Sequence, residues 1–286
     1  MDVNEAAMQV IADLLYAHTG QEITASRRWR IPAALTGVFR DLGINNVNQL
    51  VCILDRGTDP TLLRQVVEAL LNNETYFFRD RNYFENLSQH VLPEIASRRA
   101  ATRQLRVWSA GCSTGQEPLS LAMLLAEQRS MWRGWTIEIV ATDISSRALK
   151  AARSASYNQF EIQRGISVTE MLSHFTETKN QWKAKDGLRR MIRFEQRNLL
   201  EEPPAGGPFD LVLCRNVLLY FEQATRARAF ARLHAGIASD GWLMLGAGET
   251  LLDRPRLFTS AACGSGLYRK AAHSVGDKPG SIAAAA

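Results

Sequence analysis

Between Leu105 and Pro118 the chain reads Leu-Arg-Val-Trp-Ser-Ala-Gly-Cys-Ser-Thr-Gly-Gln-Glu-Pro. Alternating apolar residues break into a Gly111–Gly115 turn, and a long apolar-periodic run begins at Leu119. Strand, tight glycine turn and helix in that order form the first unit of a doubly wound α/β sheet. The glycines let the backbone pass close beneath a ligand, and the free N–H groups of the helix start point into the same space. An ordinary strand-to-helix turn would look much the same. What favours a ligand is the next strand, Thr136-Ile-Glu-Ile-Val-Ala-Thr-Asp143, which ends in an acid about one βαβ unit later. Nucleotide-binding folds hold ribose hydroxyls at that position.

The N-terminal quarter reads differently. Apolar residues at helical spacing run over 3–17 and stop before Gly20, and further helices are expected over 24–42, 45–54 and 60–71. Pro32 and Gly37 are weak points in the second. That helix carries Arg27, Arg28, Arg30 and Arg40 and has no acid between Thr24 and Arg40. This is either a solvated face or a docking surface for an acidic helix. Next comes Asn73-Glu-Thr-Tyr-Phe-Phe-Arg-Asp80, where polar groups interleave with consecutive aromatics. It can be core with a paired arginine, a ligand-site wall, or a domain junction.

Residues 81–100 read as a helix leading into the sheet. Residues 155–190 break the βαβ rhythm and look like an inserted subdomain. Strands are expected from Met191, over Phe209–Cys214 and Gly241–Gly246, with a helix over 223–237 and two last strands around Gly264. The division expected is a helical domain over 1–80, a linker helix over 81–100, a sheet domain over 101–272 and a disordered tail over 273–286.

Several classes are excluded at this stage. No apolar run approaches the roughly 20 residues that span a bilayer, and the first residues lack the basic and apolar parts of a signal peptide, so a cytoplasmic protein is expected. Cys52, Cys112, Cys214 and Cys263 are far apart, as are the five histidines, so neither disulfides nor a metal site is expected. The net charge of +5 permits an acidic partner without identifying one. The glycine turn departs from the dehydrogenase G-x-G-x-x-G, and Glu117 sits where a pyrophosphate would be repelled. An acid there suits a cationic, amino-bearing ligand, so S-adenosylmethionine fits better than NAD. The strand ending at Cys214 continues Arg-Asn-Val, unlike the Asn/Asp-Pro-Pro-aromatic motif of enzymes that methylate base nitrogens; no nucleic acid partner is expected.

Taken together, Asn73–Asp80, Val107–Pro118, Ala141-Thr-Asp143, Asn198-Leu199 and Cys214-Arg-Asn-Val-Leu-Leu-Tyr-Phe221 resemble, in order and approximate spacing, the chemotaxis-receptor methyltransferases of the CheR family. The resemblance implies S-adenosylmethionine-dependent methyl esterification of receptor glutamates, with a helical N-terminal domain over a seven-stranded methyltransferase sheet. By motif position it implies that Asn73, Thr75, Arg79, Glu117, Asp143, Asn198, Leu199, Arg215 and Asn216 contact the cofactor, with Gly111 beneath it. Arg79 and Tyr220 would lie nearest the transferred methyl. Chemoreceptor cytoplasmic helices would be the partner, docking on Arg27, Arg28 and Arg30, and the protein would act as a monomer. Two departures stand out: Leu119 where many relatives have an aromatic, and Gly246-Ala-Gly-Glu249 where many have Gly-His-Ser-Glu. The segment Tyr157–Arg164 looks more like members that bind no receptor C-terminal peptide. The rival readings are a catalytically idle cofactor-binding module and a methyltransferase for another substrate.

Overall fold

A computed structural model of the chain describes residues 3–57, 59–251, 257–262 and 266–271. The N-terminal unit comprises α1 (Val3–Thr19), a 3₁₀ turn (Ala25–Arg27), α2 (Arg30–Ala34), α3 (Thr36–Leu42), α4 (Val47–Asp55) and α5 (Pro60–Leu70). Ile11, Ile31, Leu35, Leu50 and Val66 close its core. Helix α1 stops at Gly20, whose φ is +76°, and a Cβ there would also strike Leu200 Cδ1 at 2.5 Å. The left-handed backbone conformation is what calls for glycine there.

The single helix expected over 24–42 is instead three short pieces. Pro32 has no N–H to give and would cost a bond in the interior of one long helix. Starting α2 at Arg30 puts Pro32 in a first turn, where that N–H has no partner to lose. Leu35 then leaves helical geometry, at φ −88° and ψ 2°, before α3 begins.

The linker is α6 (Arg81–Asn86), one π turn (Leu87–Val91) and α7 (Leu92–Arg98). Pro93 stands two residues past the π turn, and the Leu92 N–H reaches five residues back to the Leu87 carbonyl.

The sheet begins with β1 (Gln104–Ala110), α8 (Gln116–Glu127), β2 (Thr136–Asp143) and α9 (Ser146–Ser154), the last capped by the Ser145 side chain. The inserted segment follows as β3 (Ser156–Tyr157), α10 (Gln159–Gln163), α11 (Val168–His174), β4 (Phe175–Thr178), β5 (Gln181–Ala184) and α12 (Asp186–Arg189), its strands forming a separate sheet in the order β3-β5-β4. The main fold resumes with β6 (Ile192–Gln196), β7 (Phe209–Cys214), α13 (Gln223–Gly236), β8 (Ile237–Leu245), β9 (Phe258–Ser260) and β10 (Leu267–Lys270). Strand β8 starts earlier than expected. Gly264 and the 273–286 tail lie outside the described residues.

The seven-stranded order is β6-β2-β1-β7-β8-β10-β9, with β6 through β8 parallel and β10 antiparallel to both of its neighbours, β8 and β9. Side chains alternate between two cores: Val107, Ile139, Leu213 and Met244 on one face, Trp108, Val140, Val212 and Leu243 on the other. Every residue of β7 is buried, as a strand covered on both faces must be. The chain winds outward from β1 through β2 to β6, then returns to place β7 on the other side of β1. Winding reverses between β1 and β7, and the carboxyl ends of strands at such a reversal form a ligand crevice.

Candidate active site

An open cleft of about 910 Å³, the solvent at its mouth included, lies at that reversal. Its lining includes every residue the sequence assigned to cofactor binding or methyl transfer: Asn73, Thr75, Arg79, Gly111, Glu117, Asp143, Asn198, Leu199, Arg215, Asn216 and Tyr220. The lining also includes residues the sequence reading passed over, among them Asn72, Ser113 and Tyr76.

The floor is built from strand ends. The N–H groups of Gly111 and Cys112 both donate to the Thr142 carbonyl, at 2.8 and 2.9 Å, which draws the glycine turn over the end of β2. Ser113 sits at φ 50°. Its N–H donates to Asp143 Oδ2 at 2.7 Å, while the Ser145 N–H donates to Asp143 Oδ1 at 2.8 Å. Asp143 is thereby fixed, and each oxygen keeps an acceptor site for a ligand hydroxyl. Burial pushes its carboxyl above the usual aspartate range, against the opposing effect of those N–H groups.

Glu117, in the first turn of α8, accepts from Ser109 Oγ at 2.7 Å and from Arg215 Nη1 at 3.2 Å. Burial raises its carboxyl as well, although Arg215 pulls the other way. The Arg215 side chain is 1% exposed; its Nη2 pairs with Asp80 at 2.8 Å and also meets the Arg79 carbonyl. This one guanidinium ties the end of β7, the start of α8 and the 73–80 segment together.

The 73–80 segment serves each of the three uses open to it. Tyr76 lines the cavity and lies beneath Arg164, 4.2 Å from its ring centroid. Phe77 is fully buried against Tyr157 and Phe175 of the inserted subdomain, with centroids at 5.0 and 5.4 Å. Phe78 packs edge-on against Phe84 of the linker. The buried ion pair, one reading for Arg79, belongs to Arg215. Arg79 is half-buried and donates to the Glu74 carbonyl at 3.1 Å, and among the described residues no carboxylate lies within salt-bridge distance of it.

Tyr220 ends a 3₁₀ turn (Leu218–Tyr220) after β7. Its hydroxyl accepts from Asn72 Nδ2 at 2.7 Å, and its carbonyl accepts from the Glu22 N–H at 2.8 Å. Gln21 bridges Phe221 next to it, so the helical unit is joined to the tyrosine loop by backbone pairing. Asn198 spends its side-chain amide on the carbonyls at the end of α1, at 3.4 and 3.5 Å. Glu68 of α5 is buried and takes the Ser146 N–H and hydroxyl, at 2.6 and 2.7 Å, and the Ser145 hydroxyl at 2.5 Å. That carboxylate anchors the loop that carries Asp143, and nothing local in the sequence marks it.

A second cavity of about 520 Å³ shares Gln21, Asn72 and Tyr220 with the first, and Arg27 and Arg30 line it. Arg28 does not line it. Its guanidinium is held by Glu5 at 2.5 Å and by Gln9.

The family model described as "CheR methyltransferase, SAM binding domain" matches residues 73–266. Chemotaxis protein methyltransferase 1 of Pseudomonas aeruginosa is 34% identical over 278 residues, covering 95% of this chain and 100% of that protein. Chemotaxis protein methyltransferase Cher2 of Pseudomonas putida is 34% identical over 251 residues, covering 86% of this chain and 90% of the relative. A chemotaxis protein methyltransferase of Borreliella burgdorferi is 28% identical over 258 residues, covering 88% and 90%. A cleft at the winding reversal, an acid fixed at the end of β2 and these matches agree, and the chain belongs to the CheR family of S-adenosylmethionine-binding methyltransferases.

Proposed function

We propose that this enzyme methylates glutamate side chains on the cytoplasmic helices of chemoreceptors, as part of sensory adaptation. The observation that carries the acceptor assignment is Arg79, a cavity-lining guanidinium with no carboxylate within salt-bridge distance among the described residues; Tyr220 lines the same cavity. A fixed guanidinium attracts a carboxylate and repels an ammonium.

The lining suits the cofactor. Asp143 offers acceptors to ribose hydroxyls, while the carboxylates of Asp143 and Glu117 would repel phosphates. In this reading Asn73, Thr75, Arg79, Gly111, Glu117, Asp143, Asn198, Leu199, Arg215 and Asn216 form the cofactor pocket. Arg215 acts there mainly by holding Glu117 in place. S-adenosylmethionine supplies a methyl group on a cationic sulfur. Arg79 orients the incoming carboxylate through its N–H donors, and Tyr220 donates one further hydrogen bond. A glutamate has a reference pKa of about 4.3 and is already ionised at neutral pH, so no general base is required. The wall of Tyr76 and the aromatics behind it limits water at the reacting centre.

The helical unit over 1–80 and the sheet domain over 101–272 are read as separate domains joined by the 81–100 helix, with the acceptor entering between them. Arg27 and Arg30 line that approach and are the proposed docking cations for acidic receptor helices; Arg28, spent on Glu5, contributes to the domain's own structure. Among the described residues no helix is long and apolar enough to cross a membrane, which fits an enzyme acting in the cytoplasm, as a monomer, on receptor segments that project there. The test is the bond made. Receptor labelled from the methyl of the cofactor should release nearly all label as volatile methanol in mild alkali. Label that survives alkali overturns the glutamate assignment.

A further inference from the structure

Glu249 is buried yet lines neither cavity, and it stands in the loop where the sequence departs from its family pattern. Four backbone N–H groups converge on its carboxylate. Oε1 accepts from Val217 at 2.9 Å and Leu218 at 2.7 Å; Oε2 accepts from Asn216 at 2.7 Å and Gly246 at 2.9 Å. Three of the donors are consecutive and belong to the segment that leads from Arg215 into the Tyr220 turn. Asn216 and Val217 are in neither strand nor helix, Leu218 opens the 3₁₀ turn, and Asn216 sits in the left-handed region at φ 58°. The three amides therefore have no ladder to satisfy them, and successive N–H groups turned one way form a concavity suited to an anion. Glu249 supplies that anion from the loop after β8. The segment also carries Val217 against the glycine turn: a Cβ on Gly111 would meet Val217 Cγ2 at 2.3 Å.

We propose that Glu249 is a positioning residue for methyl transfer. Its carboxylate sets the course of the Asn216–Leu218 backbone and, through it, the place of the Tyr220 hydroxyl at the acceptor end of the cavity. The proposal rests on the reading of Tyr220 given above. It also assigns a task to the altered Gly246–Glu249 loop: the two inner positions differ from the family pattern, while the glutamate that binds the N–H groups is present.

Glu249→Gln keeps the size of the side chain and replaces one acceptor oxygen with a donor, so two of the four N–H groups lose their partner. In the cofactor-free variant the amides of Asn216, Val217 and Leu218 should exchange with solvent faster by about tenfold or more, with the melting transition otherwise cooperative. In the methylation assay kcat should fall by about tenfold or more while the KM for receptor changes little. In a Tyr220→Phe background the same substitution should cost much less, because both changes act on one hydroxyl.

Unchanged exchange at the three amides overturns the clamp. An equal loss of kcat in both backgrounds overturns action through Tyr220 and leaves Glu249 as structure alone. Should Glu249→Gln fail to fold, Gly246→Ala presses on the same point with the charge intact, since its Cβ would lie 2.9 Å from Glu249 Oε2 and 3.0 Å from the Asn216 nitrogen. The same two backgrounds and the same exchange measurement then decide. If wild-type enzyme places no alkali-labile methyl in receptor, the acceptor assignment is what has failed, and amide exchange still judges the clamp independently.

Discussion

The two walls of the main cavity are built on opposite terms. On the sheet side the charged groups are already engaged: Asp143 by the Ser113 and Ser145 N–H groups, Glu117 by Ser109 and Arg215, and Arg215 by Asp80. On the side facing the helical unit Arg79 holds one carbonyl, and Tyr220, from the turn after β7, receives one amide from Asn72. A wall whose groups are fixed in advance suits a ligand of constant shape, because little has to reorganise when it binds. A wall with unspent donors suits a substrate that arrives, reacts and leaves. The difference matches cofactor and acceptor, and each wall can be tested without the other.

The largest effect is expected on the acceptor wall. Arg79→Ala should cut the transfer rate by about a hundredfold or more, as removal of a preorganised donor to a reacting group does. Its cofactor affinity should fall less than its rate, since Arg79 is one contact of the cofactor pocket among ten and the sheet wall is left intact. Calorimetric titration beside a methylation assay separates the two. An Arg79→Ala enzyme that loses cofactor binding and rate in equal measure would erase the division between the walls.

A smaller loss is expected on the sheet wall. Asp143→Ala should weaken cofactor binding by roughly ten- to a hundredfold, the worth of one charge-assisted hydrogen bond. The raised carboxyls of Glu117 and Asp143 add a signature in pH. A cationic ligand favours the ionised form, so affinity should begin to fall on acidification while the pH is still above the ordinary carboxylate range of about 4. The cofactor-free fold should respond with the opposite sign. A buried carboxyl with a raised pKa contributes stability below its unfolded value, and that contribution is lost as pH rises through the folded value. Affinity measured across pH in wild type and Glu117→Gln reads the first effect, and thermal melts of cofactor-free protein read the second.

The sheet wall was also the more legible one. Gly111, Glu117 and Asp143 stand where a local pattern places them, at a glycine turn, a helix start and a strand end, and the cavity formed around all three. The helical side depends on partners remote in sequence. Arg215 and Asp80 are 135 residues apart, and nothing local says that Arg215 takes the buried ion pair and leaves Arg79 without one. The roles of Glu68 and Glu249 were not legible for a related reason. Glu249 binds four backbone N–H groups and Glu68 one backbone N–H with two serine hydroxyls 77 and 78 residues away, so no local side-chain pattern announces what they hold. The 24–42 region misled because periodicity shows which face is apolar without showing that Pro32 would be accommodated by starting a new helix.

The smallest effect should come from the arginines of the approach, and here the comparison can be drawn within four residues. Arg27 and Arg30 are exposed and line the second cavity, whereas Arg28 is turned toward α1 and paired with Glu5. If the cavity receives acidic receptor helices, Arg27→Glu with Arg30→Glu should raise the KM for receptor several-fold and leave cofactor affinity unchanged. The effect is modest because each charge is solvated and screened over a Debye length of about 8 Å at physiological salt. For the same reason the wild-type rate should decline as salt rises, and the double variant should be less sensitive to salt. Arg28→Ala should behave in the other way. It removes a pair inside the helical unit, a loss of up to about 1 kcal/mol in stability for a partly exposed bridge, and it should leave the KM for receptor near its wild-type value. Were Arg28→Ala to raise KM as much as the double charge reversal does, position along the cavity would not be what selects the docking cations. Salt-insensitive kinetics with a silent double variant would return Arg27 and Arg30 to a solvated face.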